Sequence, residues 1–316
     1  MLKQITSSIM MIRPVAFRYN EQTAGNNYYQ KVLHDVSPDQ VQLNAQLEFD
    51  NFVSVLRNNG IEVVVVDDTL EPNTPDSIFP NNWISFHQDG SVALYPMCAE
   101  NRRSERRLDI LTLLTDVHNF KINEVLDFSH HEQTHRFLEG TGSMLLDRIH
   151  KVVYAALSLR TDLDLLNEFC DKFNYKAVSF TSNQTVNNER LPIYHTNVMM
   201  CLGESFAVLC ADTIDDLKER KLVIDSLVAS GREIIYITES QKQRFAGNML
   251  QVSSKSGLKY LVMSTSAHKC LTKPQVLQLE KYTNILSSSL DTIEACGGGS
   301  ARCMMAELFL PKIELL

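Results

Sequence analysis

Several features that would assign this chain to a class of protein are scarce or missing. It has only 12 glycines and 9 prolines among 316 residues, with no Pro/Gly-rich break, low-complexity linker or block of like charge. We therefore expect one domain spanning residues 1–316. Lys and Arg (30) are outnumbered by Asp and Glu (38), and the net charge of −8 argues against nucleic acid or an anionic membrane as a partner.

Long hydrophobic runs are also missing. No stretch reaches the roughly 18 apolar residues of a membrane span, and residues 1–7 lack the apolar core of a signal peptide. The sequence thus predicts a cytoplasmic protein. The seven cysteines are odd in number and include no C-x-x-C pair. This pattern predicts free thiols in a reducing compartment, not a disulfide framework.

One cysteine stands out by its position. Cys303 follows the glycine turn 297–299 and precedes the apolar run 308–310. Consecutive glycines let the backbone approach a ligand closely, because no Cβ is in the way. A lone cysteine is more often a small buried hydrophobic residue. His195 and Glu139 change the balance, since they supply the imidazole and carboxylate that a nucleophilic thiol needs.

Strand and helix patterns alternate along the chain with short connections. The predicted helices cover residues 45–56, 100–114, 162–173 (capped by Thr161), 214–229 and 275–288. The predicted strands include 61–66, 144–146, 152–155, 177–180, 198–201, 206–209, 234–237, 249–252 and 260–263. Four or five ββα-like units of this kind predict a repeated α/β architecture instead of a doubly wound sheet. The polar motifs fall in turns just before strands and would converge if the units surrounded a centre.

Six short motifs occur in a characteristic order. They are Asp76-x-x-Phe79-x-x-Asn82, Glu139-Gly140-Thr141-Gly142, Ser158-Leu159-Arg160-Thr161, His195-Thr196-Asn197, Gly247-Asn248-Met249 and Gly298-Gly299-Ser300-Ala301-Arg302-Cys303-Met304. Together they resemble the guanidine-modifying superfamily of arginine deiminases, dimethylarginine dimethylaminohydrolases, succinylarginine dihydrolases and amidinotransferases. The segments 79–83 and 138–143 are most similar to the citrulline-utilisation hydrolase (citrulline ureidase) branch. The resemblance implies the pentein fold, a pseudo-fivefold α/β propeller, with no metal and no cofactor.

The resemblance also implies a role for each residue. Cys303 would attack the central carbon of a guanidino or ureido group and form a covalent adduct. His195 would move the protons, and Glu139 would orient it. Asp76 and Asn82 would bind the planar group of the substrate, since a carboxylate suits several N–H donors. Arg160 resembles the arginine that receives the α-carboxylate of an amino-acid substrate.

The chain departs from the deiminase pattern at one position. Many arginine deiminases have His-x-Asp where this chain has His195-Thr196-Asn197. A neutral amide suits the carbonyl oxygen of a ureido group, so Asn197 favours citrulline, converted to ornithine, carbon dioxide and ammonia. Hydrolysis of arginine or a substituted arginine by the same residues stays open. So do a non-catalytic binding relative and a homo-oligomeric state.

Three further patterns need an interpretation. His131-Glu132-x-x-His135 matches the H-E-x-x-H zinc signature, but the segment is too short for a long helix and no third ligand follows at the usual spacing, so we expect no zinc protease. Cys296 competes with Cys303 as the nucleophile, but its place before the glycines predicts the end of a strand and a structural role. The basic cluster 102–107 predicts a solvated face or structural ion pairs.

Overall fold

The computed structural model describes residues 2–313, so Met1 and residues 314–316 of the predicted 1–316 domain lie outside the described residues. The strands are β1 (Ser8–Arg13), β2 (Glu62–Asp67), β3 (Ile84–Phe86), β4 (Ser91–Leu94), β5 (Glu124–Asp127), β6 (Leu145–Asp147), β7 (Val152–Leu157), β8 (Lys176–Thr181), β9 (Asn183–Val186), β10 (Glu189–Pro192), β11 (Met200–Leu202), β12 (Phe206–Leu209), β13 (Glu233–Tyr236), β14 (Leu250–Ser253), β15 (Lys259–Ser264), β16 (Asn284–Ser288) and β17 (Ala306–Glu307). The helices are α1 (Glu21–Ala24), α2 (Pro38–Asn58), α3 (Glu100–Arg103), α4 (Asp109–Asp116), α5 (Gly140–Ser143), α6 (Leu163–Phe173), α7 (Leu217–Ala229), α8 (Glu239–Lys242), α9 (Thr265–Cys270), α10 (Lys273–Glu280) and α11 (Asp291–Gly297).

Five three-stranded sheets within residues 2–313 share one topology. Their strand orders are β17-β1-β2, β3-β4-β5, β6-β7-β8, β11-β12-β13 and β14-β15-β16. In each sheet the middle strand pairs antiparallel with the first strand and parallel with the third. At least one helix lies between the middle strand and its parallel partner along the chain, because a parallel connection has to cross over the sheet. The predicted ββα units therefore continue into a third strand, and the mixed α/β class is confirmed.

The first sheet is completed from the other end of the chain. Strand β17 pairs antiparallel with β1, with Met10 opposite Ala306. This pairing brings the segment that follows Cys303 back to the start of the chain. Strands β9 and β10 form a separate hairpin.

Local sequence signals explain most element ends. Helix α2 begins after Ser37, whose side chain accepts a hydrogen bond from the Gln40 amide, and Pro38 occupies its first position. Its apolar face, which includes Phe49 and Phe52, is buried. Helix α6 is capped by Asp162, one residue later than predicted, because the Asp162 carboxylate accepts a hydrogen bond from the Leu165 amide.

Two predicted helices were wrong in extent. The pattern over 100–114 is divided into α3 and α4, and the pattern over 275–288 is divided into α10 and β16. Strand β16 pairs in parallel with β15 over 284–288, so tertiary pairing overrides the local helical pattern there. Cys296 lies in helix α11 and not at the end of a strand.

Two further expectations can be compared with the structure. All seven cysteines belong to the described residues, and all are free thiols, as the sequence predicts. Between residues 2 and 313, no helix is both long enough and apolar enough to cross a membrane.

Candidate active site

The predicted site residues come from turns at the start of successive sheets. The 3-10 turn Pro80–Asn82 precedes β3, α5 precedes β6, and the 3-10 turn Thr196–Val198 precedes β11. Helix α5 packs against both turns. The side chain of Asn248, just before β14, reaches Cys303, just before β17. The fold therefore brings together turns that are more than 200 residues apart in sequence.

The Cys303 thiol lies between two amide side chains. Asn248 donates from Nδ2 to Cys303 Sγ at 3.2 Å, and Asn197 Nδ2 lies 3.7 Å from the same sulfur. The Arg302 amide donates to Asn248 Oδ1 at 3.0 Å, which fixes the Asn248 amide with its N–H groups toward the sulfur. Sequence reasoning noted the Gly247-Asn248-Met249 motif but assigned Asn248 no role.

Burial controls the protonation of this thiol. Cys303 is only 4% exposed. Burial raises the pKa of Cys303 and outweighs the hydrogen bond from Asn248 and the positive charge of Arg302. The resting site therefore holds a neutral thiol, and a positive charge or a base is needed to form the thiolate.

His195 and Glu139, predicted to form an acid–base pair, are in direct contact. His195 Nε2 lies 2.8 Å from Glu139 Oε2, and the Cys98 amide donates to Glu139 Oε1 at 3.0 Å. Burial would raise the pKa of Glu139, but the charge of Arg160 and the hydrogen bond from His195 outweigh it and hold that pKa well below its usual range. An ionised carboxylate only accepts hydrogen bonds, so His195 carries its proton on Nε2 and has its lone pair on Nδ1.

The imidazole is neutral in the resting site. Burial lowers the pKa of His195 to about 4, against the opposite effect of Glu139. His195 therefore has a lone pair on Nδ1 that can accept a proton.

Gly142 makes room for two functional groups. A Cβ at this position would overlap Asn82 Nδ2 and would lie 2.8 Å from His195 Nδ1. Any larger residue at Gly142 would displace the amide or the imidazole. The motif of Glu139 thus contributes both a carboxylate and the space in which its partners meet.

Asp76 and Asn82 each leave one polar atom without a partner. Asp76 Oδ2 accepts hydrogen bonds from Asn20 at 2.8 Å and Thr23 at 3.3 Å, whereas Asp76 Oδ1 is buried with no hydrogen-bond partner among residues 2–313. Asn82 Oδ1 accepts from Arg102 at 2.9 Å, and its buried Nδ2 has no partner in the described part of the chain. An arginine cannot accept a hydrogen bond, so this contact fixes which way the Asn82 amide points.

Arg102 is a site residue that sequence reasoning missed. It is 2% exposed, and it donates from Nε and Nη2 to the two carboxylate oxygens of Glu105, both at 2.8 Å. Of the two interpretations of the basic cluster, the solvated face was wrong for Arg102, and the ion pair is correct. Burial raises the pKa of Glu105 to about 7, against the effect of Arg102. The spacing of three residues between the two partners was the available signal, since such pairs face each other on a helical turn.

Arg160 contacts the N-terminal segment around helix α1. Its Nε donates to Asn26 Oδ1 at 2.9 Å, and its Nη2 donates to the Thr23 carbonyl at 3.2 Å. Its Nη1 lies 3.4 Å from Glu139 Oε2. The segment around α1 carries no motif in the sequence, and its part in the site was not predicted.

One cavity joins these groups. Its volume is about 10 Å³, which is room for about one water molecule. Its walls include five of the seven predicted site residues, namely Asp76, Asn82, Arg160, His195 and Cys303. Its other walls are Thr23, Asn27, Phe79, Arg102, Tyr194 and the turn 297–299. Glu139 lies behind His195, and the fully buried Asn197 contacts the sulfur without lining the cavity, so its predicted role in binding substrate stays a prediction.

The glycine turn closes this cavity against an aromatic ring. Gly298 has φ +62°, the left-handed conformation that favours glycine, and it ends helix α11. A Cβ on Gly299 would lie 2.8 Å from the Phe79 ring. The turn therefore packs more closely on Phe79 than a side chain would allow.

The H-E-x-x-H segment has a different arrangement from a zinc protease. It occupies a 3-10 turn, Ser129–Thr134, and His135 follows in the left-handed conformation with φ 54°. Glu132 forms an ion pair with Arg106 at 2.6 Å. The two histidines of the motif therefore do not lie on one face of a long helix.

A family model described as N,N dimethylarginine dimethylhydrolase, eukaryotic, matches residues 13–310. The chain belongs to this family. Its predicted membership of the guanidine-modifying superfamily is confirmed. No curated protein sequence matches the chain.

Solved structures share the fold at low sequence identity. One is a cysteine-to-serine variant of the N-terminal domain of ArgZ with substrate bound. ArgZ is an arginine dihydrolase from the ornithine-ammonia cycle in Cyanobacteria. This domain has a TM-score of 0.71 and 18% identity over 95% of this chain and 97% of that domain. Unliganded AgrE has a TM-score of 0.71 and 17% identity over 97% of this chain, which spans 40% of the AgrE chain. A histidine-to-glycine variant of dimethylarginine dimethylaminohydrolase, as an adduct with S-methyl-L-thiocitrulline, has a TM-score of 0.61 and 11% identity over 96% of this chain and 100% of its own.

Proposed function

We propose that this chain is a cysteine hydrolase that breaks C–N bonds of a ureido or guanidino amino acid, with citrulline as the first substrate. The proposal includes one catalytic domain, in which the five sheets surround the site as in a pentein propeller. Family membership supports the reaction class, and the polar atoms of the cavity favour the substrate.

The unpaired polar atoms of the cavity carry the choice of citrulline. Asp76 Oδ1 is an unpaired acceptor and Asn82 Nδ2 is an unpaired donor. A ureido group offers the complement, a carbonyl oxygen that accepts and N–H groups that donate. A guanidinium offers donors only, which would meet the N–H groups of Asn82 unfavourably. Because a buried polar atom without a partner costs about 1–3 kcal/mol, a ligand that satisfies both atoms is favoured.

The chemistry then follows from the site. His195 Nδ1 takes the thiol proton, and the Cys303 sulfur bonds to the ureido carbon. The proton passes to the terminal nitrogen of the ureido group, and the C–N bond to that nitrogen breaks. Ammonia departs, and an S-carbamoyl adduct that carries the rest of the substrate remains on Cys303. Water activated by His195 cleaves the S–C bond and yields a carbamate, which loses carbon dioxide and leaves ornithine.

Neighbouring groups support the two charged stages. The Asn248 N–H group at 3.2 Å from the sulfur stabilises the thiolate. Glu139 stabilises the imidazolium that forms when His195 takes a proton, as a buried carboxylate does beside a catalytic histidine.

A second candidate, arginine or a methylated arginine, is favoured by a different observation. The raised pKa of Cys303 and the neutral His195 leave the resting thiol protonated. A guanidinium would bring a positive charge to the sulfur and promote its ionisation, whereas a ureido group is neutral. The names of the matching family and of the arginine dihydrolase ArgZ both refer to guanidino substrates.

Asn82→Asp separates the two substrates. The change replaces the free N–H donor by an acceptor, so kcat/KM for citrulline should fall by at least about tenfold, since 1.4 kcal/mol corresponds to a factor of ten. The ratio of arginine to citrulline activity should rise by at least about tenfold. The matched control is Asn197→Asp, which contacts the sulfur without lining the cavity. Because Asn197 does not line the cavity, this variant should lower both activities and leave their ratio unchanged, whereas a rise in the arginine to citrulline ratio would support the sequence-based prediction that Asn197 binds the ureido group.

The wild-type protein decides the class before the variant is made. Activity on arginine without activity on citrulline would overturn the choice of citrulline. The absence of ammonia release from both substrates would favour a non-catalytic binding relative. Mass spectrometry after a rapid quench should detect the S-carbamoyl adduct on the peptide that contains Cys303.

A further inference from the structure

A second cluster of ligating side chains lies away from the cavity. His130 and His131 belong to the 3-10 turn Ser129–Thr134, and Glu168 belongs to helix α6. One ring nitrogen of each histidine and one carboxylate oxygen lie within 4.8 Å of one another. The catalytic proposal uses none of these three residues.

The His130 imidazole is held in an orientation that suits a metal ligand. His130 Nδ1 lies 3.2 Å from the Asp127 carbonyl, so it carries the proton and leaves a lone pair on Nε2. This arrangement, with one ring nitrogen bonded to a carbonyl and the other free, is the usual one for a metal-binding histidine.

His131 supplies the second observation. It is 7% exposed, and its Nε2 lies 2.9 Å from Glu168 Oε2. Despite this distance, Nε2 has no partner with hydrogen-bond geometry among the described residues. A buried nitrogen that lies beside a carboxylate without bonding to it is placed to share a third, positively charged partner.

We propose that His130, His131 and Glu168 bind a Zn²⁺ ion, with water completing the coordination. Imidazole nitrogen and carboxylate oxygen are ordinary zinc ligands at about 2.0–2.2 Å, which places tetrahedral ligand atoms about 3.3 Å apart. The His131–Glu168 separation of 2.9 Å is shorter than that value and the other two are at most 4.8 Å, so rotation of the exposed His130 and the half-buried Glu168 side chains would bring the three atoms to one ion.

The site differs from the one that the H-E-x-x-H motif would build. His135 and Glu132 take no part. The third ligand, Glu168, comes from helix α6, and its distance in sequence from the two histidines matches no zinc-binding motif. A bound ion would connect the turn Ser129–Thr134 to α6 and would leave the cavity unchanged. We therefore expect Zn²⁺ to stabilise the folded protein without altering turnover.

The test is a titration of metal-stripped protein with zinc chloride, in the presence of a chromophoric competitor for the ion. His130→Asn and Glu168→Gln should each weaken zinc binding by at least about tenfold, because each removes one ligand. His131→Asn should do the same, but the exposed His130 and the half-buried Glu168 keep the test valid if this buried variant fails to fold. The matched control is His135→Asn, which removes an exposed histidine of the same segment and suits the left-handed conformation there.

Two measurements complete the test. Zinc should raise the Tm of the wild type and of His135→Asn, and should not raise that of His130→Asn or Glu168→Gln. Turnover should be equal with and without zinc. If zinc binding is unaffected by His130→Asn and Glu168→Gln, or if zinc inhibits turnover and is lost in Cys303→Ser, the ion belongs elsewhere and the proposal is wrong.

Discussion

Removal of the buried guanidinium of Arg102 tests how the site is held together. In Arg102→Met, the Glu105 carboxylate loses both hydrogen bonds at 2.8 Å and its counter-charge while it stays 4% exposed. At pH 8, above the pKa of about 7 that Glu105 has in the wild type, the broken pair costs about 3–5 kcal/mol, because the buried carboxyl has to stay charged without a partner or take up a proton. That is a large part of the roughly 5–15 kcal/mol by which a protein is stable.

The double variant separates stability from function. Arg102→Met combined with Glu105→Leu removes both charges and replaces them by apolar groups, a change that is often neutral or stabilising for a buried pair. The double variant should therefore recover at least about 3 kcal/mol relative to Arg102→Met alone. It should not recover activity, because Asn82 Oδ1 still lacks the donor that orients its amide.

The assay is urea unfolding followed by tryptophan fluorescence, with kcat/KM measured on the same samples. Trp83 is the only tryptophan and is 1% exposed beside Asn82, so its emission reports directly on this region. A double variant no more stable than Arg102→Met would show that the two charges are not coupled. A double variant with wild-type activity would refute the idea that Arg102 orients Asn82.

Three other predictions concern the nucleophile, metals and pH. Cys303→Ser should retain less than about a hundredth of wild-type turnover, whereas Cys296→Ser should stay active, and the reverse result would move the nucleophile. Treatment with a chelator should leave turnover unchanged, because every catalytic step is assigned to a side chain, and loss of activity that zinc restores would contradict this. Burial raises the pKa of Glu294 to about 7, against hydrogen bonds from Ser264 and Ser300. The stabilising contribution of a raised pKa is present below about pH 4.5 and is lost as the pH rises through about 7. At pH 8 the free energy of unfolding of Glu294→Gln should therefore exceed that of the wild type by roughly 2–3 kcal/mol, and at pH 4.5 the two should differ little. Equal stability in urea at pH 8 would contradict the raised pKa of Glu294.

The ordered motifs identified most of the candidate site. Cys303, His195 and Asp76 come from motifs more than 100 residues apart in sequence, and all three line one cavity. This convergence has a physical reason, because the covalent hydrolysis proposed above needs a thiol, a base and a carboxylate, for which few residue types can substitute. Element types were predicted where hydrophobic periodicity was strong, as in α2 and α6. They were mistaken over 284–288, where a strand forms because β15 offers it a pairing edge.

By itself the sequence determined the mixed α/β class, the free thiols and the superfamily, since these depend on residue types and their order. Only the tertiary structure decided that Arg102 is buried, that the Asn82 amide presents its N–H groups, and that the segment around α1 closes the cavity. These features depend on which distant groups share a low-dielectric space. A charged residue has the same letter on a surface and in a core, and its hydrogen-bond partners are set by folding.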